Sequence, residues 1–297
     1  RGRGRRVSGV LVDEGMEAGF HMTQRIDGGL GPEGEAAPLV GAGLTLSYDR
    51  VEISRDLDVE IPRGSFTVIV GPNGCGKSTL LRALARTLTP KAGQVELEGR
   101  PITSYGSKEV ARLLSLLPQS PVTPEAISVR DLVGRGRYAY QTMLRQWSAA
   151  DGEAVTRAMA ATDTTDLAER RVADLSGGQR QRVWLAMVLA QDTDVILLDE
   201  PTTFLDIAFQ VDVLELCAQM HREGRTLVAV LHDLNLAARY ATHMIAMRDG
   251  AIAFEGEPRE VVTADRVREV FGLESRIIPD PETGSPLVVP LARVARA

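Results

Sequence analysis

The sequence predicts an α/β fold built on a mostly parallel sheet, and three observations carry that expectation. Short apolar runs alternate with helical stretches through most of the chain, the pattern of a parallel sheet covered by helices. One run, Val195-Ile196-Leu197-Leu198, is apolar at successive positions, as suits a strand buried on both faces. A glycine-rich break, Gly71 to Gly76, falls between an apolar strand and a helix.

Taken in order, Arg1 to about Ala37 is rich in Gly and Arg and lacks periodicity, so a disordered, solvated tail is expected. Leu44–Tyr48, Val51–Val59 and Ser65–Val70 read as strands, and Lys77–Leu88 as a helix. Gln94–Leu97 is a short strand ending in the turn Glu98-Gly99-Arg100, and Ser115–Leu117 is another. A mostly helical stretch, Val129–Arg171, holds the helix Ser148–Ala161. Alternation then returns: helix to Leu189, strand Asp194–Leu198, helix Ile207–Arg222, strand Thr226–Leu231, helix Leu234–Tyr240 and strand Met244–Met247. No internal repeat is visible. One folded domain over 38–291 is expected, with a helical insertion at about 120–175.

Composition narrows the function. The chain has 297 residues, 44% hydrophobic and 25% charged, enough for a sizeable core. A net charge of −6 argues against nucleic acid as a partner. Cys75 and Cys217 are too few for a disulfide framework and read as reduced thiols. No stretch is apolar over the ~18 residues of a membrane span, and no apolar core follows the basic start. Any role in transport therefore runs through a partner.

Two motifs point to nucleotide chemistry. Gly71-Pro72-Asn73-Gly74-Cys75-Gly76-Lys77-Ser78, continuing to Thr79, has the P-loop spacing in the required strand-to-helix context. Glycines there let backbone N–H groups wrap phosphates, and the following helix N-terminus adds partial positive charge. Lys77 is placed to reach the β- and γ-phosphates, and Ser78 to hold Mg²⁺. In the second motif, Asp199 and Glu200 end an apolar strand, at the edge where such sheets bind ligands. Asp199 is the candidate Mg²⁺ ligand and Glu200 the candidate acceptor of a proton from attacking water. In isolation, an acid pair after a strand equally suits the cap of the next helix.

A third motif is Leu175-Ser176-Gly177-Gly178-Gln179. Ser176 and Gln179 have capping-box spacing, the mark of an ordinary helix start. That does not account for Gly177 and Gly178, each costing about 1 kcal/mol inside a helix. Glycines in a first turn suit close approach of an anion to the backbone. With the other two motifs, this one resembles the signature of the ABC ATPases.

The resemblance spans about Leu39–Pro290. It implies a P-loop NTPase core with an antiparallel β subdomain and a helical signature subdomain. It also implies the cofactors ATP and Mg²⁺, and a head-to-tail homodimer in which each signature acts in trans on the other copy's nucleotide. Gln119 then matches the glutamine linking Mg²⁺ and water to the permease contact, and His232 the histidine that contacts the γ-phosphate. Tyr48 matches the aromatic that stacks on adenine, and Asp206 the D-loop aspartate. Integral membrane permease subunits are implied as partners, with a solute-binding protein acting indirectly, at the cytoplasmic face of the membrane.

Finer details resemble the ATPase subunits of ferric siderophore importers. They are Arg135-Gly136-Arg137-Tyr138, Gln146-Trp147-Ser148, Val183-Trp184-Leu185-Ala186-Met187, Thr202-Thr203-Phe204-Leu205-Asp206-Ile207, Leu231-His232-Asp233-Leu234-Asn235 and Asp280-Pro281-Glu282-Thr283-Gly284-Ser285-Pro286. Ala139-Tyr140 departs from that group's pattern. Haem or cobalamin import is the alternative within transport. Non-transport ABC ATPases stand further off, because neither a coiled-coil insertion nor a second cassette is present.

Overall fold

The computed structural model describes residues 36–48, 51–121, 126–142, 146–203 and 205–291. The tail expected over Arg1–Ala37 falls almost wholly outside them, as does Phe204. In chain order the first strands are β1 (Leu39–Tyr48), β2 (Val51–Ile61) and β3 (Phe66–Val70). Next come α1 (Lys77–Leu84), β4 (Ala92–Leu97), β5 (Arg100–Pro101), α2 (Ser107–Leu113) and β6 (Leu114–Leu117). Helices α3 (Val129–Gly134), α4 (Ala149–Ala161) and α5 (Gly177–Gln191) are interrupted by short 3₁₀ turns. Then follow β7 (Val195–Asp199), α6 (Ile207–Arg222), β8 (Thr226–Val230), α7 (Leu234–Tyr240), β9 (His243–Arg248) and β10 (Ala251–Gly256). The last described elements are α8 (Pro258–Val261), α9 (Ala264–Phe271), β11 (Ser275–Pro279) and β12 (Pro286–Pro290).

The central sheet runs β10-β9-β3-β8-β7-β6. β9, β3, β8, β7 and β6 are mutually parallel, and β10 is antiparallel to β9. A separate antiparallel sheet has the order β2-β1-β4-β5, and β11 and β12 pair as a hairpin. β3, β7 and β8 are buried at every position, which is why they read as continuous apolar runs.

Strand periodicity divides the core. Phe66, Val68, Ile196, Leu198, Leu227, Ala229 and Met244 join one apolar cluster with α3 to α7. Ile69, Val195, Leu197, Val228, Val230 and Ile245 point the other way, toward α1 and the antiparallel sheet's Leu44, Leu46, Val59 and Ile61. Truncating a side chain such as Leu197 to Ala is expected to cost about 2–5 kcal/mol.

Some boundaries differ from the sequence expectation, for local reasons. α1 stops at Leu84 rather than Leu88, because Arg86 takes φ 59° and the Thr87 and Leu88 amides fold back onto Arg82 O. β1 begins at Leu39 because its first residues pair with both β2 and β4. α2, β10, α8, α9 and the β11–β12 hairpin have no counterpart in the sequence reading. No helix among the described residues is long and apolar enough to cross a membrane.

Candidate functional site

Four consecutive parallel strands, β3, β8, β7 and β6, each deliver a segment to the same sheet edge. β3 leads into the loop Gly71–Gly76, β6 into Gln119, β7 ends in Asp199 followed by Glu200, and β8 leads to His232. They surround a cleft of about 510 Å³ lined by Tyr48, Asn73, Gly74, Gly76, Lys77, Ser78, Thr79, Gln119, Glu200 and His232. Ile53, from β2, completes the lining.

The loop needs its glycines. Gly71 has φ +152°, and a Cβ there would lie 2.3 Å from Met247 O and 2.8 Å from Cys75 Sγ. Gly74 and Gly76 have φ +79° and +104°, a region open mainly to glycine. Pro72 O accepts from Cys75 N at 3.4 Å, closing the turn. The buried Cys75 is supported from behind, its carbonyl accepting from Gly250 N at 3.2 Å. Burial pushes the Cys75 thiol above its usual value.

Lys77 is buried, and its Nζ donates to Gly71 O at 2.9 Å and Pro72 O at 2.8 Å. Ser78 Oγ donates to Asp199 Oδ1 at 2.7 Å. Asp199 is wholly buried, and its Oδ2 has no hydrogen bond, with Arg82 Nε 3.7 Å away. Burial holds its carboxyl above the usual range. Glu200 takes φ 55°, unusual for a residue with a Cβ. That turn aims its carboxylate at His232, with Oε1 2.8 Å from His232 Nε2. Thr203 Oγ1 donates to Glu200 Oε2 at 3.1 Å, and Gln119 hydrogen-bonds the same carboxylate. Burial alone would raise this carboxyl, but the hydrogen bonds from His232, Gln119 and Thr203 hold it below its usual value.

The third motif lies elsewhere. Ser176 caps α5: its Oγ accepts from Gln179 N at 3.3 Å, and Gln179 Oε1 accepts from Ser176 N at 3.1 Å. Leu175 is buried in the core behind the cap. Ser176 and Gly177 are exposed, and a Cβ on Gly177 would meet nothing within 4 Å. The first turn carries no acidic residue, so no carboxylate offsets the partial positive charge of the helix start. None of Leu175, Ser176, Gly177, Gly178 or Gln179 lines the cleft. The motif is tied to the end of β7 through Gln181 Nε2, which donates to Pro201 O at 3.1 Å. Asp206 caps α6, accepting from Phe209 N at 3.0 Å.

Sequence reasoning gave no cleft role to Ile53, Arg82 or Thr203. Arg82 lies one helical turn past Ser78, and i+4 spacing was the signal available for it. Ile53 comes from another sheet, and nothing local marks it.

Residues 54–203 match the ABC transporter family. The ferric enterobactin transport ATP-binding protein FepC of Escherichia coli K12 is 56% identical over 260 residues, covering 87% of this chain and 96% of FepC. The probable siderophore transport ATP-binding protein YusV of Bacillus subtilis 168 is 53% identical, covering 84% of this chain and 91% of YusV. A chain from the inward-facing structure of a metal-chelate type ABC transporter superposes with TM-score 0.73 at 28% identity, over 86% of this chain and 98% of that one.

Proposed function

The chain belongs to the ABC transporter family as an ATP-binding subunit that hydrolyses ATP, and on that premise we propose that it energises uptake of a ferric siderophore through a separate membrane permease. The observation that carries the reading is the division of the site. P-loop residues, Gln119, Glu200 and His232 share one cleft, with the buried Asp199 bonded to Ser78 at its edge, whereas the exposed start of α5 lines no part of it.

In this reading the loop amides of Gly71–Gly76 and the Lys77 ammonium hold the phosphates, with Thr79 at the helix start and Tyr48 stacked on the adenine. Glu200 takes the proton of the attacking water. His232 holds Glu200 in place and contacts the γ-phosphate. The fit to Mg²⁺ rests on the donor set: a buried Asp199 oxygen lacks a hydrogen bond, and the Ser78 hydroxyl lies beside it. Ser78, Asp199 and Gln119 would hold the ion. Bound there, Mg²⁺ neutralises charge on the phosphates. Ser176, Gly177 and Gly178 of a second copy close over the γ-phosphate, making a head-to-tail homodimer, with Asp206 at its seam. The dimer works at the cytoplasmic face of the membrane, and a solute-binding protein supplies the permease from the far side.

Deleting the gene and measuring uptake of iron delivered as a ferric siderophore, haem iron and cobalamin tests the substrate class. Loss of siderophore uptake alone is expected, restored by the wild-type gene and not by the Glu200→Gln variant. Loss of haem or cobalamin uptake with siderophore uptake intact would refute the assignment.

A further inference from the structure

No residue of Arg135-Gly136-Arg137-Tyr138 or Gln146-Trp147-Ser148 lines the nucleotide cleft, yet Gly136, Arg137 and Ser148 from these segments meet in a dense polar joint. Arg137 and Asp151 are paired at 3.0 Å with side chains only 8% and 6% exposed. Arg137 Nη1 also donates to Ala190 O at 2.8 Å, in the last turn of α5. The Tyr140 ring covers the guanidinium at 3.9 Å, and its hydroxyl donates to Asp192 O at 3.1 Å, at the C-cap of α5. The other oxygen of Asp151 accepts from Ser148 N at 2.9 Å and Ser148 Oγ at 2.7 Å, capping α4. Gly136 lies flat on the same helix end: a Cβ there would fall 2.3 Å from Met187 O and 3.0 Å from Gln191 N.

The same helix end is bolted to the catalytic sheet. Gln191 Nε2 donates to Ala111 O at 2.8 Å and Leu114 O at 3.1 Å. Thr193 Oγ1 donates to Ser115 Oγ at 2.9 Å. Leu114 and Ser115 open β6, the strand that leads to Gln119. Arg112 Nε, in α2, donates to Ala139 O at 2.9 Å, tying the 3₁₀ turn Arg135–Tyr140 to that strand as well.

We infer that Arg137, with Asp151, Tyr140 and Gly136, is a positioning clamp: it fixes the tilt of α5 against the sheet and so aims the Ser176-Gly177-Gly178 end at the second copy's nucleotide. This rests on the head-to-tail reading above. Elsewhere α5 packs through apolar Val183, Trp184, Leu185, Ala186 and Val188, with polar ties from Gln181 to Pro201 O and from Arg182 to Asp163. Apolar burial is non-directional, so it resists separation of the helix better than rotation about its fixed end. Directional bonds at Ala190 O and Asp192 O add to the Gln191 ties and fix the C-terminal end of the helix from its other side. The leverage is large: fifteen residues make a rod of about 22 Å, so a tilt of about 3° at the C-terminal end moves Ser176 by about 1 Å. Misplacement of that size in a reacting assembly costs up to about a hundredfold in rate.

Arg137→Lys tests this, because it keeps the charge facing Asp151 but loses the fork that spans Asp151 and Ala190, and the stacking on Tyr140. The full-length variant is expected to bind ATP on its own P-loop within about twofold of wild type, while kcat falls at least about tenfold and KM changes little. Mixing identifies the lesion. With Lys77→Ala, one interface of the mixed dimer pairs an intact loop with an intact signature, so ATP-driven pairing should recover. With Ser176→Arg, no interface is intact, so it should not. Gly136→Ala, which lifts the 3₁₀ turn off α5, should show the same pattern and carries the test if Arg137→Lys fails to fold. Normal turnover of both variants, or equal pairing with both partners, overturns the clamp. The control mixture of Lys77→Ala with Ser176→Arg separates the two readings: if that control pairs while Arg137→Lys shows no preference, the clamp alone fails. If the control itself does not pair, the head-to-tail reading fails and the clamp with it.

Discussion

At the sheet edge, Lys77, Ser78, Glu200 and His232 are each tied to another residue of the same chain. At the start of α5, Ser176 is tied only to its own helix, and Gly177 faces open space. One half of the site is assembled inward, around a cleft; the other is kept clear and points outward. Polar groups built for a ligand within one chain normally converge on one pocket, and here they diverge. In the proposed head-to-tail dimer each half finds its complement on the second copy.

The largest effect should come from the inward half. Glu200→Gln removes the proton acceptor but keeps the cradle, so hydrolysis should fall by about 10²–10⁴ while ATP binding stays near wild type. Single-turnover assays beside nucleotide-binding titrations would separate the two, and wild-type hydrolysis in the variant would remove Glu200 from its role. Ser176→Arg attacks the outward half. It should depress turnover about a hundredfold, yet leave the melting temperature within a few degrees, because losing a cap costs about 1 kcal/mol. Unfolding of this variant in thermal melts would mean that Ser176 is structural.

The inward half also predicts a conflict between stability and activity. Burial raises the Asp199 carboxyl above its ordinary 3.8, so the folded state binds a proton more readily than the unfolded one. Folding stability from this group therefore falls as pH rises from 3.8 through the raised value. Asp199→Asn removes the buried charge, while an amide oxygen still accepts from Ser78. The nucleotide-free variant should melt higher by about 2–4 °C while losing Mg²⁺-dependent hydrolysis. A lower melting temperature would show that the ion pair with Arg82 outweighs burial.

Glu200 behaves oppositely. Its carboxyl lies below its ordinary 4.5, so it contributes stability above that pH, lost as pH falls through the depressed value. Its hydrolysis limb should likewise lie below pH 4.5. Thr203→Val deletes one of the hydrogen bonds responsible and should move that limb upward, with a loss of only a few-fold near neutral pH. A pH–rate profile for kcat/KM, which reports the nucleotide-free chain, checks it, and a downward shift would contradict the assigned cause.

Much of this was legible in the sequence, and the reason is chemical. Phosphate contact demands glycines at fixed spacing, and buried parallel strands demand unbroken apolar runs, so both leave marks within a few residues. β7 and α6 were readable for that reason, as was the capping box at Ser176. The positive φ of Glu200 left no mark, since the fold imposes it on a residue with a Cβ. Nor did Ile53, brought to the cleft by another sheet. The segment from β10 to β12 was missed because its strands are mostly exposed or half-buried and carry no long apolar run, and Pro279, Pro286 and Pro290 at the hairpin's strand ends read as breakers. Arg137 was visible as part of a family pattern, and Asp151 as the third residue after a helix cap at Ser148, but nothing local marked their pairing across fourteen residues.

The most direct test of a site split between two copies is ATP-driven pairing in a mixture of Lys77→Ala and Ser176→Arg chains, followed by sedimentation. In the mixed dimer one interface carries both lesions and the other carries neither. A site split across a dimer should give a dimer population in the mixture that neither variant forms alone, appearing only with ATP. If the mixture pairs no better than its components, the cleft and the start of α5 do not meet across a dimer.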